Sequence, residues 1–301
     1  MAISVIIPIY NEPDEILRRL CRVLAMQCGE LEIIFADASD KGDKFDGENR
    51  GARAKLDASA NAQGEEIPKL SQNLNRGAVN LNLEANLKGA DESAFKFKSE
   101  PCERGGEAAS ERGEDFDLAA FLSENFAPQK FQILKTRKGR GAQMDAGARA
   151  AKFENLLFLH ADSEFESVNA VARADAVLET CEAGCFTLKF KPSGVLLNLI
   201  ALGSNLRVNF RNIAFGDQGI FIRKALFQKF GGFENLAIME DYALSMKLKK
   251  AGVKFKRLRE RIITSARKFR REGVLSTLLK MQILQYKFRN GASGDEIAKS
   301  Y

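Results

Sequence analysis

Ile3-Ser4-Val5-Ile6-Ile7-Pro8-Ile9 opens the chain and decides its architecture. A β-branched run with almost no polar interruption is a strand buried on both faces, the signature of a parallel sheet. Polar Tyr10-Asn11-Glu12 follows at once. From Pro13 to Met26 the apolar residues Ile16, Leu17, Leu20, Val23 and Leu24 recur with a helical period, and Pro13 suits a first-turn position. Leu31-Glu32-Ile33-Ile34-Phe35-Ala36 is a second strand, ending at Asp37. Strand, helix and strand of these lengths make a βαβ unit. Its sheet is parallel, and its ligand belongs at the carboxyl ends of the strands.

Further along, short apolar runs at Phe131–Leu134, Leu156–Leu159, Cys185–Phe190 and Ile220–Ile222 read as strands. Ala142–Lys152, Asn169–Cys181, Ala225–Phe230, Asp241–Lys250 and Gly273–Phe288 read as helices. The stretch 41–128 has a different texture, rich in Gly, Asn, Ala, Ser and Glu, with little periodicity. So long a structureless stretch marks an insertion. It is expected to be low in complexity and poorly ordered, with a short helix near Phe116–Phe126. The expected organisation is one domain built from 1–40 and 129–290, the insertion 41–128, and a tail 291–301.

The 301 residues carry 46 Lys plus Arg against 40 Asp plus Glu, a net of +6. That average conceals a gradient. Lys41 to Phe126 has a net charge of −5 and the remainder +11, and Lys247 to Asn290 alone reaches +13. Five cysteines without a CxxC pair point to free thiols in a reducing compartment. One histidine, His160, excludes zinc sites that need two. The short apolar start lacks a basic leader, and Val195 to Leu202 falls well short of the roughly 20 residues that span a bilayer. A cytoplasmic enzyme is expected.

Two strand ends carry carboxylates to the ligand edge: Asp37, and Asp162 after Leu157-Phe158-Leu159-His160-Ala161. Ser4 to Glu12 then strongly resembles the opening of family 2 glycosyltransferases with the nucleotide-sugar-binding GT-A fold. The resemblance continues in Ile34-Phe35-Ala36-Asp37-Ala38-Ser39-Asp40 and resumes in Arg137-Lys138-Gly139-Arg140-Gly141-Ala142-Gln143. Phe158 to Ser163, Gly216-Asp217-Gln218-Gly219, Gly231-Gly232-Phe233 and Met239-Glu240-Asp241-Tyr242 complete an ordered set. His-Ala-Asp, Gly-Asp-Gln and Met-Glu-Asp together resemble a bacterial subgroup whose genes are often placed near those for arsenosugars.

The resemblance implies an α/β, Rossmann-like, mostly parallel sheet with flanking helices, and an inverting transfer from a nucleoside diphosphate sugar to an acceptor that the motifs do not name. Departure of a diphosphate calls for Mn²⁺ or Mg²⁺ bound by oxygen ligands. Asp162 matches the second acid of the family's Asp-x-Asp metal motif. His160 stands where the first acid would be, as a metal or phosphate ligand or as a histidine capping the strand. Asp37 matches the nucleobase reader, with Pro8, Tyr10 and Glu12 lining the same pocket; by itself Asp37 reads equally as an Asx-turn residue with Ser39. Arg137 and Arg140 would approach the diphosphate. Asp241, beside Glu240, is implied as general base, although an aspartate there also caps a helix. Gly216, Asp217 and Gln218 match the acceptor side.

Ser265-Ala266-Arg267-Lys268-Phe269-Arg270-Arg271 matches an arginine-rich loop over the diphosphate, which assigns Arg267, Arg270 and Arg271 to it. Phe269 stands where the family often has Trp. The helix that follows carries Leu275, Leu278, Leu279 and Ile283 beside Lys280, Lys287 and Arg289, which suits either peripheral contact with an anionic membrane or packing on its own domain. Two other functions compete. A nucleotidyltransferase would want a Gly-rich phosphate loop after the first strand, and Tyr10-Asn11-Glu12-Pro13 is not one. A non-enzymatic basic module for membranes or RNA, including an inactive relative of the fold, rests on charge alone, and no nucleic-acid partner is expected.

Overall fold

The computed structural model describes residues 2–39, 117–127 and 130–299. In chain order they form β1 (Ala2–Ile9), α1 (Asp14–Ala25), β2 (Glu30–Asp37), α2 (Leu118–Asn125), β3 (Phe131–Lys135), α3 (Arg140–Ala150), β4 (Asn155–Phe158), β5 (Glu164–Phe165) and α4 (Ala170–Val177). Then come β6 (Ala183–Lys191), α5 (Val195–Arg211), β7 (Ile220–Arg223), α6 (Lys224–Lys229), α7 (Glu240–Lys250), β8 (Phe255–Ser265), α8 (Arg267–Glu272), α9 (Val274–Arg289) and α10 (Gly294–Lys299). Most of the expected insertion, 41–116 with 128, lies outside the described residues. Its described part carries α2, whose Asp117 Oδ1 accepts the Ala119 amide as an N-cap. Within the expected tail, α10 is seated by Ile297, and Ser293 and Glu296 exchange backbone and side-chain hydrogen bonds as a capping box.

The strands make one sheet in the order β3-β2-β1-β4-β7-β6-β8-β5. Pairs β1–β2, β2–β3, β1–β4 and β6–β8 are parallel; β4–β7, β6–β7 and β5–β8 are antiparallel. Only β7 and β5 therefore run against β1. The α/β class and the mostly parallel sheet are as the resemblance implied. Period-2 alternation divides β1 between two core layers. Ile3, Val5, Ile7 and Ile9 pack with Leu17 and Leu20 of α1 and Val171 and Ala174 of α4. Ile6 packs on the other side with Met144 and Ala148 of α3 and Leu244 and Leu248 of α7. A Cβ on Gly147 would lie 2.5 Å from Ile6 Cγ2, so glycine lets α3 settle directly on β1.

Five of the described elements, β5, α5, β8, α8 and α10, departed from the sequence pattern. β8 is an 11-residue strand that a charged alternation, Lys256-Arg257-Leu258-Arg259-Glu260-Arg261, disguises. Its pairing with β6 makes it a strand. α5 escaped notice because its outer face is as apolar as its inner one, which erases the amphipathic contrast. α8 is too short for a period. Among the described cysteines, Cys21, Cys28, Cys181 and Cys185 are free thiols; Cys102 lies outside the described residues. No described helix is long and apolar enough to cross a membrane.

The chain leaves β1 toward β2 and β3 on one side and reaches β4 on the other, so the crevice at the topological switch lies beyond β1 and β4. Pro8 helps to open it. Ile6 O accepts from Leu159 N on the β4 side and Ile9 O from Ala38 N on the β2 side. By alternation Pro8 faces the β4 side, past the last ladder pair Ile6–Phe158, where its missing N–H leaves no bond unmade. Gln143, 3% exposed, donates its amide to Ile9 O at 2.7 Å and Ala36 O at 2.8 Å, tying the two paired strand ends together. Gln143→Leu removes both bonds from buried carbonyls and is expected to lower unfolding free energy by about 1–3 kcal/mol in urea titration, with an unchanged m-value.

Candidate functional site

Every residue singled out from the sequence sits on the loops at one edge of the sheet. Tyr10 and Glu12 follow β1, Asp37 ends β2, His160 and Asp162 follow β4, and Arg267 follows β8, all at carboxyl ends. β7 runs the other way, so the 3₁₀ turn Gly216–Gln218 before it reaches the same edge. Arg137 and Arg140 come from the β3–α3 connection, and Glu240 and Asp241 begin α7.

At the β1–β2 end, Asp37 Oδ1 accepts the Ser39 amide at 2.8 Å, the Asx-turn, while Oδ2 takes the Lys135 ammonium at 2.6 Å. Burial pushes the Asp37 carboxyl up, but Lys135 and Ser39 outweigh it and hold it below its ordinary value. Asn11, at φ 50, turns its N–H onto Ser39 Oγ at 2.9 Å and locks the two loops together. Lys138 donates to the Tyr10 hydroxyl at 2.8 Å and lies 4.1 Å from its ring centroid, a pairing not anticipated from the sequence. Arg137 is exposed on the same loop.

Asp162 lines a cavity of ≈ 370 Å³ with Ser265, Arg267, Lys268 and Arg271. Arg267 and Arg271 thus join the strand-end acid, whereas Arg270 is exposed and absent from that lining. Phe269 anchors the segment instead of stacking on a ligand: it is buried and meets Phe190 edge-on at 5.2 Å. Glu12 belongs to the same electrostatic neighbourhood. Burial raises its pKa first and the Asp162 carboxylate adds to this, against the opposing pull of Arg267.

The third group is a lattice of carboxylates and guanidiniums. Met239, at φ 70, bends the chain into α7 in a conformation costly for a side chain with a Cβ. Glu240, 1% exposed, accepts Arg140 Nε on Oε1, while its buried Oε2 has no hydrogen-bond partner among the described residues. Burial and then Asp241 raise the Glu240 pKa against the pull of Arg140. Asp241 accepts the Gly216 amide on Oδ2 and the Tyr242 amide on Oδ1, each at 2.7 Å. A Cβ on Gly216 would fall 2.6 Å from His160 Nε2 and 3.2 Å from Asp241 Oδ2, so this corner requires glycine.

His160 Nε2 lies 3.5 Å from Arg140 NH1. Burial, reinforced by Arg140, drives its pKa well below the ordinary value, so the imidazole is neutral near pH 7. Its Nε2 therefore faces a guanidinium and the Gly216 backbone rather than the cavity lined by Asp162. Gln218 is fully buried, its Oε1 taking Arg207 NH2 at 3.1 Å. Its neighbour Asn205 clamps both backbone groups of Leu188. Gln218 thus supports the turn from behind, and Arg207, stacked 4.0 Å over Phe215, is a site residue that the sequence reading missed. Only its place in the unrecognised α5 could have revealed it.

Asp217 has a buried Oδ1 with no partner among the described residues. Burial raises its pKa to about 6, helped by Asp241 and opposed by Arg207. Among the described residues no three His, Cys, Asp or Glu side chains cluster to cage a metal. What Asp162 offers is one carboxylate in a cationic cavity, which fits a hard cation carried mainly by phosphate oxygens and water.

The fold is the GT-A fold, and glycosyltransferases are among the solved structures that resemble it. The mannosyltransferase PcManGT from Pyrobaculum calidifontis, in complex with GDP-Man and Mn²⁺, matches with a TM-score of 0.53 at 14% identity over 99% of this chain and 68% of that one. TarS 1–349 from S. aureus, in complex with UDP, matches with a TM-score of 0.50 at 14% identity over 88% of this chain. The match spans 60% of that TarS chain. No family model and no curated protein sequence matches the chain.

Because the folded-state pKa of Asp217 lies above its unfolded value, its ionisation destabilises the fold as pH rises through about 6. Asp217→Asn is therefore expected to be more stable than the wild type at pH 8 by about 1–3 kcal/mol, an advantage that roughly halves by about pH 5 and disappears only near pH 3, below the unfolded-state pKa. Thermal unfolding at the two pH values measures it.

Proposed function

We propose that this protein is a metal-dependent, inverting glycosyltransferase that takes a sugar from a nucleoside diphosphate donor, with Asp241 as general base. One observation carries the reading. At the carboxyl edge of a GT-A sheet, Asp162 shares a cavity with Arg267, Lys268 and Arg271, an arrangement suited to a diphosphate and its cation. The nucleoside lies at the β1–β2 end against Pro8, Tyr10 and Asp37, and the diphosphate extends toward Asp162. Bound Mn²⁺ or Mg²⁺ supplies positive charge to the leaving phosphate oxygens. Arg267 and Arg271 add to that charge, and Arg140 holds Glu240 in place.

On the opposite side, Asp241 takes the proton of the acceptor hydroxyl as its oxygen bonds to the sugar anomeric carbon. The bond from that carbon to the diphosphate oxygen breaks, and its electrons leave with the nucleoside diphosphate. The Gly216 and Tyr242 amides keep Asp241 oriented for this step. Neutral His160 fills the corner between Arg140 and Gly216 without adding a competing charge.

Asp241→Asn is expected to lower turnover by about 10²–10⁴-fold while leaving donor affinity within a few-fold, as read by steady-state kinetics beside calorimetry. Asp162→Ala is expected to abolish the Mn²⁺-dependent part of donor binding. A thermal-shift screen of UDP-, GDP- and dTDP-sugars with Mn²⁺ tests the whole reading: stabilisation by one nucleotide class supports it, and no shift with any of them rejects it.

A further inference from the structure

The outer faces of α5 and α9 are apolar and open, and the chemistry proposed above does not use them. On α5, Val195, Leu199, Leu202, Leu206 and Phe210 recur every three or four residues and are exposed, Val195 and Phe210 at 82%. Leu197, Ala201, Asn205 and Val208 fill the opposite, inward face. On α9, Leu275, Leu279, Ile283 and Tyr286 are likewise exposed, while Thr277 and Leu284 are buried. Such contiguous apolar surface marks an interaction site.

α5 touches the turn that carries Asp217, and α9 touches Tyr242 beside Asp241. Arg207 of α5 stacks on Phe215 and bonds Gln218. Phe215 lies 5.5 Å from the Tyr242 ring, and Phe288 of α9 meets Tyr242 edge-on at 5.8 Å. A row of rings thus joins the two helices beside the general base.

Charge decides the partner. Neither α5 nor α9 contains an Asp or Glu; besides Arg207, which packs inward on Phe215, α5 carries Arg211 and α9 carries Lys280, Lys287 and Arg289. A second copy of this chain would press like charge on like charge as the apolar faces met. An anionic bilayer satisfies both features, apolar side chains entering the headgroup boundary and cations meeting lipid phosphate.

We propose that α5 and α9 together form a docking face for an anionic lipid surface, and that this face presents the Asp217–Asp241 side of the site to an acceptor held in the membrane. The second clause rests on the glycosyltransferase reading; the docking itself does not.

Flotation of the full chain with phosphatidylcholine vesicles, with and without phosphatidylglycerol, tests it in the absence of donor. The protein is expected to float with the anionic vesicles only, and less so as salt rises. Leu199→Ser/Phe210→Ser and Leu275→Ser/Leu279→Ser are each expected to lower the bound fraction at least about tenfold. Circular dichroism and the donor thermal shift should stay unchanged in both variants. No flotation of the wild type, or undiminished binding by both variants, overturns the docking face. A wild-type dimer that the serine variants dissolve also overturns it, because the face then belongs to a second copy. Flotation by a protein that no nucleotide sugar stabilises rejects the glycosyltransferase reading and leaves the docking face standing.

Discussion

Where β1 and β2 end, still paired, beside the crevice that opens toward β4, the Gln143 amide bonds Ile9 O and Ala36 O together and fixes both strand ends. Everything at the sheet edge depends on the geometry this bridge preserves. Asp37 stands in register with Ile9, Asn11 reaches Ser39 across the gap, and Pro8 ends the pairing toward β4. The bridge comes from the first turns of α3, the helix whose first residue, Arg140, holds Glu240. A single short helix therefore ties the nucleoside end of the crevice to its acidic end.

Around that frame the charges divide by sign. The side formed by α8 is cationic, with Asp162 its one acid among the cavity-lining residues. The side formed by the Gly216 turn and α7 gathers Asp217, Glu240 and Asp241 about Arg140 and Arg207. Burial makes each carboxylate there expensive to ionise, and each arginine lowers that cost. His160 fits between them as a neutral group, because a second cation beside Arg140 would cost more than the carboxylates return. Its position in the sequence left it as a metal ligand, a phosphate ligand or a strand-capping histidine, and its neighbours are Arg140 and the Gly216 backbone.

Legibility followed contrast. β1, α1 and β2 were readable because each is apolar where it is buried and polar where it ends. The strand-end acids Asp37 and Asp162 were readable for the same reason, since each interrupts an apolar run at a fixed place. Gln143 sat inside a recognised motif without a role, because nothing local says that two carbonyls from other strands need an amide. Gln218 looked like an acceptor contact and is a buried support for Arg207. Phe269 stood where the resemblance often has Trp, and its burial against Phe190 follows from where β6 and α8 happen to meet.

The sequence by itself determined the α/β class, the βαβ opening, the ligand edge and most of the residues gathered there. These are encoded by periodicity and by polar residues at strand ends, which are local properties. Tertiary structure alone decided that β8 is a strand, that Arg207 supports the Gly216 turn, that His160 faces Arg140, and that α5 turns an apolar face outward. Each of these depends on a partner far along the chain. Burial, pairing and desolvation are properties of where two segments meet, and no run of residues records that on its own.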